Sequence, residues 1–286
     1  MAVSLGEDVG IGAWRREPST VVRRVSPSPL SGSTPAAFVI RAESEVPDMP
    51  LEWEAHSHPM HELVWVRGGT STARVGDRIF TVSEGCGLWL PAGAVHAGRL
   101  TAMVQFSNAF FAPEHTPVTF DGPTAIAMTP LLESLLTYLA RTDLDIDARA
   151  RAESVVFDVL EPSDQQLALQ LPGDVRIDAI AEALLNDPAD NRSLDEWARI
   201  LGISDRTITR TFRRTTGLSF VQWRRALRVH QALTLLSEGC GVQATSEMLG
   251  YAQPSTFIAA FRGVMGTTPG AFLDTSRARE QVSEKP

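Results

Sequence analysis

Cysteine is nearly absent. Cys86 and Cys240 are the only two in 286 residues, too few for a disulfide framework and in keeping with a reducing cytoplasm, where each serves as a small buried hydrophobe. No apolar run approaches the ~20 residues that a membrane helix needs. The opening segment MAVSLGEDVGIGAWRRE has no apolar core behind a basic start, so no secretory leader is expected. Catalytic signatures are also missing: there is no P-loop, no Gly-x-Ser-x-Gly, no Cys-x2-Cys and no dinucleotide fingerprint. What is present, 43% hydrophobic residues over 286 positions, suffices for two globular domains of ordinary size.

The net charge of −8 is unevenly spread. Residues 173–286 carry 14 Arg and Lys against 13 Asp and Glu, while residues 1–172 carry 12 against 21. Between Ser204 and Arg228 stand seven arginines (Arg206, Arg210, Arg213, Arg214, Arg224, Arg225 and Arg228) and a single acid, Asp205. A solvated helix face usually mixes signs; a one-sign run is the local footprint of a polyanion-binding surface that the whole-chain charge conceals.

That run falls inside a repeat. ISDRTITRTFRRTTGLSFVQW (203–223) aligns with AQPSTFIAAFRGVMGTTPGAF (252–272) at a constant offset of 49, placing Ile208 on Phe257, Phe212 on Phe261, Gly217 on Gly266 and Trp223 on Phe272. Ahead of each copy is a short apolar helix ending in Leu-Gly, LDEWARILG and VQATSEMLG. Helix, glycine turn, helix is the helix-turn-helix pattern, whose second helix can enter the DNA major groove. Ser193-x-x-Glu196 predicts a capping box at its start. In the first copy Ile208 and Phe212 must face inward, which leaves Arg206, Thr207, Thr209, Arg210, Arg213 and Arg214 to face DNA. Arg206 and Arg210 suit guanine edges, and Arg213 or Arg214 suits phosphate. In the second copy Ser255, Thr256 and Arg262 are the candidates, and Ala259 stands where Arg210 stands in the first, which predicts asymmetric readout.

The N-terminal half reads differently. A linker-like arm (1–35) precedes short alternating runs at 37–42, 62–67, 71–75, 78–83, 88–91 and 102–107, punctuated by Gly68-Gly69, Gly76-Asp77 and Glu84-Gly85. Such a series predicts an antiparallel β-barrel or sandwich-like closure. Leu131, Leu132, Leu135, Leu136 and Leu139 then form a helical stripe, followed by a helix over 147–160. The hairpin either closes the core or offers a leucine ridge to a second subunit. The expected domains are 36–162 and 174–275, with a linker over 163–173 and a tail over 276–286. Within the strands, His56-x-His58-x3-Glu62 and Pro91-x-Gly93-x2-His96 bring three imidazoles and a carboxylate to one face if the spacing is that of a strand, with His61 pointing away. Such a donor set suits a divalent transition metal: zinc, iron, nickel, manganese or copper.

Residues from about 175 to 273, through LDEWARILGIS, RTITRTFRR, TGLSFVQWRR, ALRVHQALTLL, LGYAQPSTFIAAFR and GTTPGAF, resemble the DNA-binding domain of the AraC/XylS family of bacterial transcription regulators. The resemblance implies seven helices, two helix-turn-helix units joined by a long helix over about 219–237, and two successive major grooves on one DNA face. Residues 50–110 resemble the cupin superfamily's paired metal-binding motifs, although Leu100 replaces an asparagine often found there. The expected fold is therefore an N-terminal cupin-like antiparallel β-barrel with a helical hairpin and a C-terminal all-α domain with two helix-turn-helix motifs. The expected function is a cytoplasmic regulator, activator or repressor, whose barrel senses a small molecule or metal. Its expected partners are double-stranded promoter DNA, that effector, a second copy in a homodimer, and RNA polymerase, with no membrane. The alternatives are a metal-dependent cupin enzyme fused to a DNA-binding module, and a barrel that serves only as a dimerisation platform.

Overall fold

The structure, a computed structural model, describes residues 20–24, 39–118, 120–163 and 167–274. Most of the expected arm and the whole expected tail lie outside these residues. The chain falls into two compact units, a β-rich one built chiefly from Pro18–Val75 and Ile79–Ala168 and a helical one built chiefly from Leu169–Phe272.

The β-rich unit contains β1 (Val21–Arg23), β2 (Ile40–Glu45), β3 (Leu51–His56), β4 (His61–Arg67), β5 (Thr70–Val75), β6 (Arg78–Ser83), β7 (Cys86–Leu90), β8 (His96–Leu100), β9 (Gln105–Phe111) and β10 (Thr124–Ala127). Helices α1 (Pro130–Leu139) and α2 (Ile146–Val159) follow, and then β11 (Ala168–Gln170). One sheet has the order β1-β3-β8-β5-β6-β11 and the other β10-β7-β4-β9-β2. Strand β4 shows how the layers form. Its odd residues, Leu63 and Trp65, bury against α1 and α2 with Trp89, Phe111, Leu132, Leu136 and Val156. Its even residues, Val64 and Val66, bury between the sheets with Phe80, Leu90 and Leu100, as alternation in a strand covered on both faces requires.

The expected antiparallel barrel is not what forms. Among the described residues neither sheet closes on itself, and β1 pairs with β3 in parallel. The physical reason is visible at both edges of the second sheet, where α2 and the chain after it satisfy the backbone groups that closure would use. At β2, the Glu153 carboxylate accepts the Val39 and Ile40 N–H groups at 3.2 and 3.0 Å, and buried Arg149 donates to the Ile40 carbonyl at 3.2 Å. At β10, the Ala127 N–H donates to the Glu161 carbonyl at 3.0 Å and the Ser163 N–H to the Ala125 carbonyl at 2.8 Å. The helical hairpin thus closes the core, while Leu131, Tyr138 and Val155 remain exposed on it.

The helical unit contains α3 (Asp178–Asn186), α4 (Leu194–Leu201), α5 (Asp205–Thr216), α6 (Phe220–Ser237), α7 (Val242–Met248) and α8 (Pro254–Met265), with a further helical stretch at 269–274. The helical unit therefore has seven helices among its described residues. The capping box of Ser193 and Glu196 opens α4, and a second one, Ser219 with Gln222, opens α6. The repeat is literal in α5 and α8. Each is 12 residues long and each ends on a left-handed glycine, Gly217 at φ 74° and Gly266 at φ 71°, where a side chain would be strained. Their inward residues, Ile208 and Phe212 in one and Phe257 and Phe261 in the other, are fully buried. Phe212 packs 5.4 Å from Trp223 and Phe261 packs 6.0 Å from Phe272, the same pair one repeat apart. The turns differ: two residues separate Gly202 from α5 and three separate Gly250 from α8.

Candidate functional site

The exposed side of α5 is cationic. Arg206, Arg210 and Arg213 all lie in solvent at spacings of four and three, one stripe on a helix. None has an ion-pair partner among the described residues. Arg214 is exposed but occupied, donating to the Asp174 carboxylate at 2.5 Å. Hydrogen bonds from Arg176, and the charges of Arg176 and Arg214, hold that acid well below the usual carboxylate range. Thr207 and Thr209 are half-buried, and the Thr207 hydroxyl lies 2.9 Å from the Ser204 hydroxyl at the helix cap. On α8, Ser255, Thr256, Ala259 and Arg262 are exposed.

Two arginines of the basic run turn inward instead. Arg228 is 6% exposed and donates to the carbonyls of Pro188 (2.8 Å) and Asp190 (3.2 Å) and to the Asn191 Oδ1 (3.0 Å). Arg224 donates to the Arg192 carbonyl at 3.0 Å. Both lie beside the buried face of α6 that carries Trp223 and Leu227. A charge count along the sequence cannot register this, although their four-residue spacing along that face was the available signal.

In the β-rich unit the histidine motifs converge between the two sheets. His56 ends β3 and is paired across the sheet with His96, which begins β8. His58 lies just past β3, and the turn that follows brings Glu62 back on β4. The convergence therefore comes from a turn and a second sheet rather than from one strand's alternation. One ring nitrogen from each of His56, His58 and His96 lies within 4.8 Å of the other two. Glu62 Oε2 is 3.0 Å from His58 Nε2 and 3.4 Å from His96 Nε2. His61 faces the opposite layer, where its Nδ1 accepts the Ala92 N–H at 3.1 Å and its ring stacks on Trp89.

The tautomers are set by the backbone. Nδ1 of His56, His58 and His96 faces the carbonyls of Glu54, Met60 and Ala94 at 2.7, 2.9 and 2.9 Å. A carbonyl only accepts, so each Nδ1 carries a proton, the arrangement that orients metal-binding imidazoles. His58 Nε2 faces the Glu62 carboxylate, which also only accepts, so that ring bonds it when doubly protonated and offers Nε2 to a metal when neutral. Burial would raise the Glu62 pKa, but hydrogen bonds and charge from His58 and His96 hold it at about 2. Burial opposes charge on His58, yet the Glu62 hydrogen bond and charge raise its pKa. His56 is lowered, chiefly by burial. The three histidines can thus coordinate a divalent metal ion.

The surrounding cavity, partly open to solvent, is walled by Trp53 and Phe106, whose ring centroids are 5.1 Å apart, and by Phe110, Leu90 and Val64. Asn108 reaches in from β9 and donates to Glu62 Oε1 at 3.2 Å. Asn108 and the aromatics were not singled out from sequence. Phe106, Asn108 and Phe110 share one parity along β9, which was the signal.

Residues 197–275 match the family described as "Helix-turn-helix domain" and residues 51–141 the one described as "AraC-like ligand binding domain". The chain is similar to the HTH-type transcriptional regulator NimR of Escherichia coli, with 29% identity over 254 residues, 87% of this chain and 91% of that one. It is also similar to the HTH-type transcriptional regulator RipA of Corynebacterium glutamicum, with 32% identity over 212 residues, 73% of this chain and 61% of that one. A solved structure of ToxT from Vibrio cholerae aligns over 82% of this chain and 97% of its own at 12% identity, with a TM-score of 0.35.

Proposed function

We infer how this chain works from one premise: it is a DNA-binding transcriptional regulator of the AraC/XylS type, a non-catalytic class, with an AraC-like ligand-binding domain ahead of its helix-turn-helix domain. The two helix-turn-helix units lie along one face of promoter DNA, with α5 and α8 in successive major grooves. Arg206 and Arg210 read base edges and Arg213 holds phosphate, with Thr207 and Thr209 flanking them. Arg214 joins the interface when it leaves Asp174. Ser255, Thr256 and Arg262 position the second unit through the DNA backbone. The observation that carries this reading is the stripe of three exposed arginines without partners on a helix whose other face is fully buried.

In the same reading the sandwich pocket is the sensor. His56, His58 and His96 would hold a divalent metal, with Glu62 as a fourth donor. A bound ion would supply positive charge to attract an effector's donor atom. The rest of the cavity favours an effector with an apolar body and a single polar head. Ser71 and Asn108 already donate to the Arg99 carbonyl and to Glu62, and no lysine or arginine among the described residues lines the cavity. A polyol would bury several hydroxyls without partners, at ~1–3 kcal/mol each. A ligand that prefers one arrangement of the protein shifts its affinity for DNA, and DNA shifts the affinity for that ligand equally. A second copy and RNA polymerase complete the proposed set of partners, and the proposed compartment is the cytoplasm.

The test uses the untagged full-length chain. Elemental analysis measures bound metal, and selection from a random duplex pool, with and without chelator, measures sequence preference. A selected motif whose affinity changes on metal removal is the expected result. A chain that selects no motif refutes DNA readout, and a chain without metal refutes the metal-linked sensor.

A further inference from the structure

The two helix-turn-helix units are joined by α6, which packs on α5 of the first unit and on α7 and α8 of the second. A single helix would leave the distance between the reading helices dependent on that helix alone. The structure contains a second attachment. Loop 187–192 leads directly into Ser193, the cap of the first unit's α4, and the same loop is fastened to the turn of the second unit. Asn191 Nδ2 donates to the Gly250 carbonyl at 2.9 Å, and Asn191 Oδ1 accepts from Arg228 at 3.0 Å. Arg228 also donates to the Pro188 and Asp190 carbonyls, and its guanidinium stands 5.1 Å from the centre of the Tyr251 ring. Gly250, at φ 72°, lets the loop come this close: a Cβ there would sit 2.5 Å from the Ala189 carbonyl oxygen.

We propose that Arg228, Asn191 and Gly250 form a clamp that fixes the spacing between the two reading helices, so that they are positioning residues for DNA half-site spacing. None of the three carries a role in base readout. The planar fork of Arg228 serves two carbonyls and an amide at once, which a lysine cannot do. With the clamp closed, the protein accepts one separation between half-motifs. With it open, α6 alone holds the units and neighbouring separations become tolerable, since one base pair shifts a half-site by about 3.4 Å along the axis.

The inference rests on DNA readout by both units, and the experiment separates the two. The full-length wild type is put through selection from a random duplex pool. The recovered two-part motif is then rebuilt with one base pair added or removed between its halves. Wild type should lose affinity for the altered spacings by about tenfold or more, the scale of one misplaced base contact. Asn191→Ala, at an exposed position, and Asn191→Asp, which keeps the acceptor for Arg228 but loses the donor to Gly250, should each cut that penalty to about threefold or less while selecting the same half-motifs. Arg228→Lys should do the same if it folds. An unchanged spacing penalty in both Asn191 variants overturns the clamp and leaves DNA readout standing. A wild type that selects no two-part motif overturns both.

Discussion

Arg210→Ala probes the reading helix most directly, because the side chain has nothing else to do. It lies in solvent on α5, shares its stripe with Arg206 and Arg213, and has no ion-pair partner among the described residues. Its removal therefore strands no buried group, and alanine is the better helix former. The folded state should change by no more than about 0.5 kcal/mol. Binding should change far more. An arginine that bonds a guanine edge through two N–H groups contributes ~1–3 kcal/mol of discrimination, or roughly 5- to 150-fold in Kd. Fluorescence anisotropy on the duplex selected by wild type measures the loss, urea denaturation measures stability, and renewed selection with the variant shows one base position relaxed. An unchanged Kd together with an unchanged motif would refute the assignment of Arg210 to a base. A uniform loss across all sequences would move it to phosphate.

Four further outcomes are expected. Arg213→Ala should weaken all sequences alike and lower the slope of log K against log salt by about one phosphate contact, measured between 50 and 200 mM salt. Asn108→Ala leaves Glu62 Oε1 without its donor and should reduce metal affinity by roughly 10- to 100-fold in competition with a chromophoric chelator; equal affinity would show that Glu62 needs no such support. His230 is buried on α6, and burial drives its pKa down to about 3. The unfolded chain binds a proton there below about pH 6.5 while the folded chain does not, so stability falls with pH from about 6.5 down towards 3. Between pH 7 and pH 5 the loss is up to about 2 kcal/mol, and urea denaturation of His230→Met should show a flatter pH slope by that amount. Glu153→Ala removes the acceptor of the Val39 and Ile40 N–H groups and takes the carboxylate away from Arg149, 3.9 Å off, which keeps its bonds to the Ile40, Leu139 and Arg141 carbonyls. It should destabilise the β-rich unit by about 3 kcal/mol in urea denaturation.

The parts of the chain legible in its sequence are those whose information is local. A capping serine, a left-handed glycine and an apolar pair four apart all lie within one helical turn or two, so the repeated helix-turn-helix could be read residue by residue, down to Gly217 and Gly266. Each histidine motif was legible for the same reason, whereas their convergence depends on the pairing of β3 with β8, forty residues apart in His56 and His96. Sheet closure was not, because it depends on what covers β2 and β10, and that covering comes from Arg149, Glu153 and residues 161–163, about 110 residues after β2 in the first case. Strand count and hairpin glycines carry no information about such an edge. The seven-arginine run was misread in part for a related reason. Sign and density along the sequence are blind to facing, so Arg224 and Arg228 counted as surface charge although their donors are turned to loop 187–192.

The two halves of the repeat have kept their scaffold and divided their chemistry. Helix length, the terminal glycine and the buried aromatic contact are shared between α5 and α8, so both helices rest on the same kind of scaffold. The exposed faces are not shared. Arg206, Arg210 and Arg213 on α5 correspond, 49 residues on, to Ser255, Ala259 and Arg262, which leaves one cation where there were three. A unit with one cation gains little from counterion release and has no fork for a guanine. By itself it would contribute only weak, sequence-tolerant contact. Its value then depends on being held at a fixed distance from the stronger unit, where even modest contacts add to an affinity already gained, because the second contact is intramolecular. Unequal reading heads and a rigid spacing between them are therefore one design: the poorer the second head, the more the protein depends on the fastening at Asn191, Arg228 and Gly250.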